Sequence, residues 1–315
     1  MIILSWEVLI INTYSILKTS MLSKVYKKKV AVNRINIDVR RGDIYGFIGR
    51  NGAGKTTLIR MILGVICPTE GRVELFGGEN PDTARKKIGS SVENPCLYMW
   101  MNVEQNLEAH RILLGIKDKS VVDSLIKRVG LDVARKKKAG NLSLGMKQRL
   151  VIALSLIGNP EFLILDEPIN GLDPSGIKEF RDLIKNLNQK YGVTVFISSH
   201  LLSELSKFAT RYGIMEDGKL IEEFSSTELN ERSEPSLLIK VDNIKRSIEI
   251  IEKDLGTKNY KIRDDSTIEL FENGEKPGEI NRLLSSNGII VEAISKNQVD
   301  LESYFLKIAG VNKDL

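Results

Sequence analysis

The stretch Phe47-Ile-Gly-Arg-Asn-Gly-Ala-Gly-Lys-Thr-Thr57 organises this chain. It contains Gly49-x-x-x-x-Gly54-Lys55-Thr56, the spacing of a loop that cradles phosphates. Glycines at 49, 52 and 54 let the backbone curl until successive N–H groups face one concavity. A helix starting near Lys55 adds the positive end of its dipole. The candidate nucleotide contacts are Gly49, Arg50, Asn51, Gly52, Ala53, Gly54, Lys55, Thr56 and Thr57. Lys55 is suited to reach the β- and γ-phosphates, and the Thr56 hydroxyl to ligate Mg²⁺. Residues 43–49 read as a short buried strand entering the loop, and 57–63 as a helix leaving it, with Gly64 as a stop. The bland alternative, a glycine-rich turn with a chance lysine, lacks that strand and helix on either side.

The chain has 315 residues, a length that suggests two domains. Hydrophobic content of 42% and charged content of 28% describe an ordinary globular protein. A net charge of +5 is too mild to argue for nucleic acid, and none is expected as a partner. The basic runs 27–29 and 135–138 read as solvated loops and helix ends, or as contacts to phosphate or acidic lipid. Cys67 and Cys96 form no motif and, beside a nucleotide site, fit a reducing cytoplasm. No segment has the roughly 18 uninterrupted apolar residues of a membrane span. Residues 1–13 form an N-terminal extension whose apolar start is short, carries Glu7 and lacks the features of a signal peptide. It reads as a loosely packed extension, a start placed early, or a peripheral membrane contact.

Further along, 15–22 reads as a strand, 24–29 as a polar turn holding Tyr26, and 31–40 as a second alternating strand. An exposed aromatic at 26 stacks on a nucleobase or merely covers apolar surface. Residues 72–76 and 88–92 read as strands, with a short helix at 82–87 between them. From about 98 to 158 the pattern turns helical. Asn102 with Gln105 makes a capping box, and Ser120 with Asp123 starts the next helix. Ser143 and Gly145 precede a third helix and form a second potential anion site, or simply a cap.

Phe162-Leu-Ile-Leu-Asp166-Glu167 is a buried parallel strand ending in two carboxylates. Such acids lie where α/β sheets place their ligands. Asp166 is suited to hold Mg²⁺ through water, and Glu167 to activate an attacking water. The strand 193–200 ends in His200, which either donates to a γ-phosphate or caps the strand. His110 lies mid-helix and reads as structural. After a hairpin at Asp217-Gly218, residues 225–235 are polar and read as a linker. Residues 236–295 have a βαββαβ order, a small ferredoxin-like domain, with a last helix at 301–308. The organisation expected is therefore 14–224, 225–235 and 236–315.

With these residues in place, 14–224 resembles the ATP-binding subunit of an ABC transporter. Gly49–Thr57 is similar to Walker A, Leu142–Gln148 to the ABC signature, and Leu163–Glu167 to Walker B. Gly171-Leu-Asp173 is similar to the D-loop, His200 to the switch histidine, and Tyr26 to the adenine-stacking aromatic. One position departs from most of the family: Glu93 stands where the Q-loop glutamine does, as in the subgroup of bacitracin exporters and lantibiotic-immunity ATPases. A carboxylate there binds Mg²⁺ more strongly than an amide but repels the γ-phosphate. Ser143–Leu150, Asn170–Pro174 and the terminal Leu301-Glu-Ser-Tyr-Phe305 also resemble that subgroup.

The resemblance implies an α/β fold: a P-loop NTPase cassette with a mixed sheet, an antiparallel β subdomain and a helical subdomain. It implies ATP hydrolysis with ATP and Mg²⁺, catalysed by Lys55, Glu167 and His200, with Thr56, Asp166 and Glu93 at the metal. It implies a head-to-tail homodimer in which Ser143, Gly145 and Asp173 of one copy meet ATP on the other. The dimer drives a separate membrane permease from the cytoplasmic face, docked near Glu93 and 98–140, for peptide-antibiotic or drug efflux and resistance. The competing expectation is a soluble ABC-type ATPase acting on ribosomes or nucleic acid. It needs a second P-loop or sustained heptads, and the sequence has neither.

Overall fold

A computed structural model describes residues 14–92, 97–232, 236–271 and 276–297. Outside them lie the 1–13 extension, Glu93 with Cys96, and the last expected helix with its Leu301–Phe305 motif. The chain divides into two units after Ser226.

The first unit holds two sheets. The smaller is antiparallel: β1 (Ser15–Tyr26) pairs with β2 (Lys29–Ile35), β3 (Asp38–Arg40) and β5 (Glu70–Leu75). It departs from the sequence pattern twice. The expected turn at 24–29 shrinks to Lys27–Lys28, with Lys27 at φ 52°, so Tyr26 closes a strand instead of sitting in a loop. The alternation from 31 to 40 is broken into two strands. At the break, Thr19 on β1 donates its hydroxyl to Ile35 O at 3.0 Å and accepts Ile37 N–H at 2.9 Å. A hydroxyl thus replaces the ladder bonds where β1 changes partner, a substitution that hydrophobic periodicity does not record.

The larger sheet has the order β10-β9-β4-β8-β7-β6. Its parallel strands are β4 (Ile44–Ile48), β6 (Ile88–Ser91), β7 (Phe162–Asp166), β8 (Thr194–Ser199) and β9 (Arg211–Glu216); β10 (Lys219–Ser225) pairs antiparallel at one edge. Every residue of β4 and β8 is buried, as in strands covered on both faces. Register aligns the strand ends. Ile48 lies opposite Ser199 and Ile214, and Asp166 opposite Ser198, so several strands finish at one edge together.

The helices are α1 (Lys55–Ile62), α2 (Pro81–Arg85), α3 (Val103–Leu113), α4 (Ser120–Arg128), α5 (Leu144–Leu156), α6 (Pro174–Tyr191) and α7 (Leu202–Leu205). The Asn102–Gln105 capping box is present in full. Ser120 starts α4 with Asp123 in its first turn, as expected, and its N–H is accepted by Asp118 at 2.8 Å.

A helix, α8 (Ser226–Arg232), occupies the first part of the expected linker. The second unit, which begins at Thr227, continues as β11 (Ser236–Val241), α9 (Ile244–Ile250, widened over Ile251–Leu255), β12 (Tyr260–Ile262), β13 (Thr267–Leu270), α10 (Pro277–Ser286) and β14 (Val291–Asn297). Its sheet runs β12-β13-β11-β14, antiparallel throughout, the strand order of a split βαβ fold. Leu237, Ile239, Ile268, Leu270, Ile280 and Leu284 form its core.

Candidate nucleotide site

The loop after β4 takes its shape from three glycines and their neighbours. Gly52 and Gly54 lie at φ 84° and 109°, a region open to glycine. A Cβ on Gly54 would stand 2.3 Å from Ala31 O, and one on Gly49 2.4 Å from Met215 O. The hairpin turn after β9 fastens the loop from outside: Gly218 N–H donates to Ala53 O at 3.0 Å, and Asn33 N–H donates to Gly218 O at 2.7 Å. Helix α1 then starts at Lys55, so its free N–H groups face the loop's hollow.

Lys55 is only 5% exposed, yet its ammonium is held by groups that a phosphate can replace. It donates to Gly49 O at 2.6 Å and Arg50 O at 3.2 Å. Glu167 Oε1 stands 3.0 Å away, an ion pair without the alignment of a hydrogen bond. Thr56 donates its hydroxyl to Asp166 Oδ2 at 2.7 Å. His200 Nδ1 lies 2.8 Å from Glu167 Oε2. Residues from α1, β7 and β8, far apart in sequence, thus converge because the parallel strands end together. Glu167 comes after β7 at φ 49°, an uncommon conformation for a glutamate and a frequent one at working sites.

A cleft of about 490 Å³ opens above the loop, lined among others by Tyr26, Lys29, Asn51, Lys55, Thr56 and Glu167. Tyr26 is 44% exposed on its rim, with the Lys24 ammonium 5.3 Å from the ring centre. The paired oxygens of Thr56 and Asp166 fit Mg²⁺, a hard cation that keeps several waters and needs only one or two protein ligands.

Ser143, Gly145 and Asp173 do not line this cleft. Ser143 caps α5, accepting Met146 N–H at 3.3 Å, and Asp173 caps α6, accepting Gly176 N–H at 3.2 Å. The two helix starts are neighbours: Leu144 Cδ2 lies 3.4 Å from where a Cβ on Gly171 would stand. A second cleft, of about 970 Å³, runs from Asp166 and Glu167 to Leu144, Lys147 and Gln148. Sequence reasoning missed Ser198. Its hydroxyl donates to Asp166 Oδ1 and accepts Glu167 N–H at 3.0 Å. The available signal was two serines closing an otherwise apolar strand.

The profile of the ABC transporter family matches residues 32–170. The bacitracin transport ATP-binding protein BcrA of Bacillus licheniformis is 42% identical over 299 residues, covering 94% of this chain and 98% of that one. The chain belongs to the ABC transporter ATP-binding proteins. The lantibiotic transport ATP-binding protein SrtF of Streptococcus pyogenes is 40% identical over 205 residues, 65% of this chain and 89% of that one. Among solved structures, cbiO1 of Clostridium perfringens, part of the transporter complex cbiONQ, superposes with a TM-score of 0.63 at 26% identity, covering 77% of this chain and 96% of that one. The ADP conformation of the cassette MJ1267 gives 0.62 at 27%, over 69% and 93%. The protein is accordingly an ABC ATPase. No helix among its described residues is long and apolar enough to cross a membrane.

Proposed function

We propose that this protein powers the export of a peptide antibiotic through a separate membrane permease, working as a homodimer at the cytoplasmic face of the membrane. The observation that carries the reading is the set of contacts at one edge of the sheet that joins Thr56 to Asp166 and Lys55 and His200 to Glu167. The choice of cargo draws on the relatives named for bacitracin and lantibiotic transport.

Loop N–H groups and the start of α1 receive the β- and γ-phosphates, and Tyr26 stacks on the adenine. Lys55 exchanges its hold on Gly49 O, Arg50 O and Glu167 for phosphate oxygens. Thr56 and Asp166 would hold Mg²⁺, which would neutralise phosphate charge. Glu167, relieved of Lys55, orients a water in line with the γ-phosphorus and takes its proton. His200 steadies Glu167 and donates toward the γ-phosphate. Ser143, Gly145 and Asp173, displayed beside the helix starts of α5 and α6, complete the site of a second copy. Nucleotide then binds the closed pair better than the open one, and that differential affinity is what moves the permease. Its docking place is a groove of about 490 Å³ lined by Ser91, Tyr98, His110, Leu113 and Val151.

The test is Glu167→Gln. Hydrolysis should fall by about 10²- to 10⁴-fold while ATP and Mg²⁺ hold the protein at twice its subunit mass in light scattering. Unchanged turnover, or a monomer under ATP, would remove the assignment.

A further inference from the structure

Ser198 is fully buried on β8, opposite Asp166 of β7. A buried hydroxyl without partners is unfavourable, and this one uses both of its senses. It donates its proton to Asp166 Oδ1 and accepts Glu167 N–H at 3.0 Å. One side chain therefore grips two consecutive acidic residues of the site.

The two grips do different things. Asp166 is fixed at both oxygens, Oδ2 by Thr56 and Oδ1 by Ser198. A cation can take a lone pair of the Thr56 hydroxyl while the proton stays on Asp166 Oδ2, and the bond to Ser198 at Oδ1 then fixes the other end of the carboxylate and so its plane. At Glu167 the constraint is on the backbone. Its N–H is shared between Ser198 Oγ at 3.0 Å and Ser198 O at 3.2 Å, just where φ turns to 49°. That turn brings the carboxylate to Lys55 and His200. We propose that Ser198 is a positioning residue for hydrolysis, aiming Asp166 at the cation and Glu167 at the water. The proposal rests on the metal and base roles given above to Asp166 and Glu167.

Ser199 provides a matched control. It is equally buried, and its hydroxyl accepts Leu201 N–H at 2.9 Å, away from both acids. Groups that orient a metal ligand are typically worth about 10- to 100-fold in metal affinity or activity. In the full-length protein, Ser198→Ala should raise the half-saturating Mg²⁺ concentration by roughly that factor. It should weaken Mn²⁺ binding, read by electron paramagnetic resonance with a non-hydrolysable ATP analogue present, to the same degree. Affinity for the analogue in EDTA should hold. Ser198→Thr, which keeps the hydroxyl, should recover most of the loss, and Ser199→Ala should leave the metal midpoint in place. Asp166→Ala separates the failures. If it shifts the metal midpoint and Ser198→Ala does not, the positioning role falls and the site assignment stands. If neither shifts it, Asp166 is not a metal ligand and both readings fall. If Ser198→Ala weakens binding equally with and without metal, the residue is structural and the proposal is overturned.

Discussion

The six-stranded sheet buries charge at both of its ends, and the two ends are built to opposite purposes. Where β4, β7 and β8 finish, Lys55 is held by two carbonyls and a carboxylate, partners that a phosphate can displace. At the other end, Asp43, Arg211 and Glu223 gather near the buried Tyr45. Arg211 lies 3.6 Å from Glu223 Oε1 and 3.9 Å from Asp43 Oδ2. Asp43 also accepts Arg40 N–H at 2.9 Å, and Glu223 accepts Asp38 N–H at 3.3 Å. Those N–H groups belong to the fold and leave no place for a guest. Burial pushes the Asp43 and Glu223 carboxyls up and the Tyr45 phenol well up, and it lifts nearby Tyr212 to about 12. Buried charge by itself therefore does not mark a site. Exchangeable partners do.

The contrast between the two ends breaks most visibly at Glu167. Glu167→Gln should lower the rate by about 10²- to 10⁴-fold, the usual worth of a positioned base, with little change in melting temperature. At the opposite end the effects should invert. Arg211→Met leaves two half-buried carboxylates without their cation and should cost about 1 kcal/mol in chemical denaturation, the upper part of the range for partly exposed ion pairs. The KM for ATP should stay where it was. Lys55→Ala should weaken ATP binding by about 100-fold, the scale for truncating a charged partner, as read by equilibrium fluorescence. It should leave the fold intact, because only replaceable contacts are lost.

Acid sharpens the contrast more gently. Asp43 and Glu223 keep their protons in the folded chain at pH values where the unfolded chain has released them. Their favourable contribution is whole below the ordinary carboxylate range and is lost as pH climbs through the raised values. Lowering the pH from neutral into the acid range should therefore add stability from this end, and Asp43→Asn with Glu223→Gln should flatten that slope in a thermal melt. Glu104 works the other way. Hydrogen bonds from Arg135 and Lys136 hold its carboxyl down to about 2, so its contribution is present above its ordinary value and fades as pH falls toward 2. The smallest effect should be at His110, whose pKa burial lowers. Its neutral ring favours the folded state above about pH 6.5 and opposes it below, so His110→Gln should soften the acid side of the melting curve slightly.

Much of the fold and the site was legible because it is local. The loop at 49–57 is a contiguous run whose spacing is its chemistry. The run Phe162–Asp166 shows both its burial and its acidic end in one line. The βαββαβ order of the second unit is written in alternation and caps, and its observed elements follow that order. What escaped depends on residues meeting across the sheet. The grip of Ser198 on Asp166 spans 32 positions, and the hydroxyl of Thr19 that splits 31–40 into two strands acts from a different strand. Tyr26 looked like a turn residue because lysines surround it, yet pairing with Lys29 keeps it in β1. The start of α4 at Ser120 was legible, but not that Asp118 two residues earlier supplies the acceptor for its N–H. The roles proposed for Ser143 and Asp173 need a second copy, and within one chain both are simply the acceptors that begin α5 and α6.

The stitch between Gly218, Ala53 and Asn33 carries a last consequence. It ties the phosphate loop to a hairpin and, through Asn33, to the small antiparallel sheet. The Gly218 and Asn33 amide hydrogens that form the tie should trade with deuterium slowly, while the loop N–H groups that face the hollow should exchange until phosphate meets them. Loading the cassette is then a matter of seating a guest in a chair already assembled, and each turn of the transport cycle begins without a folding step.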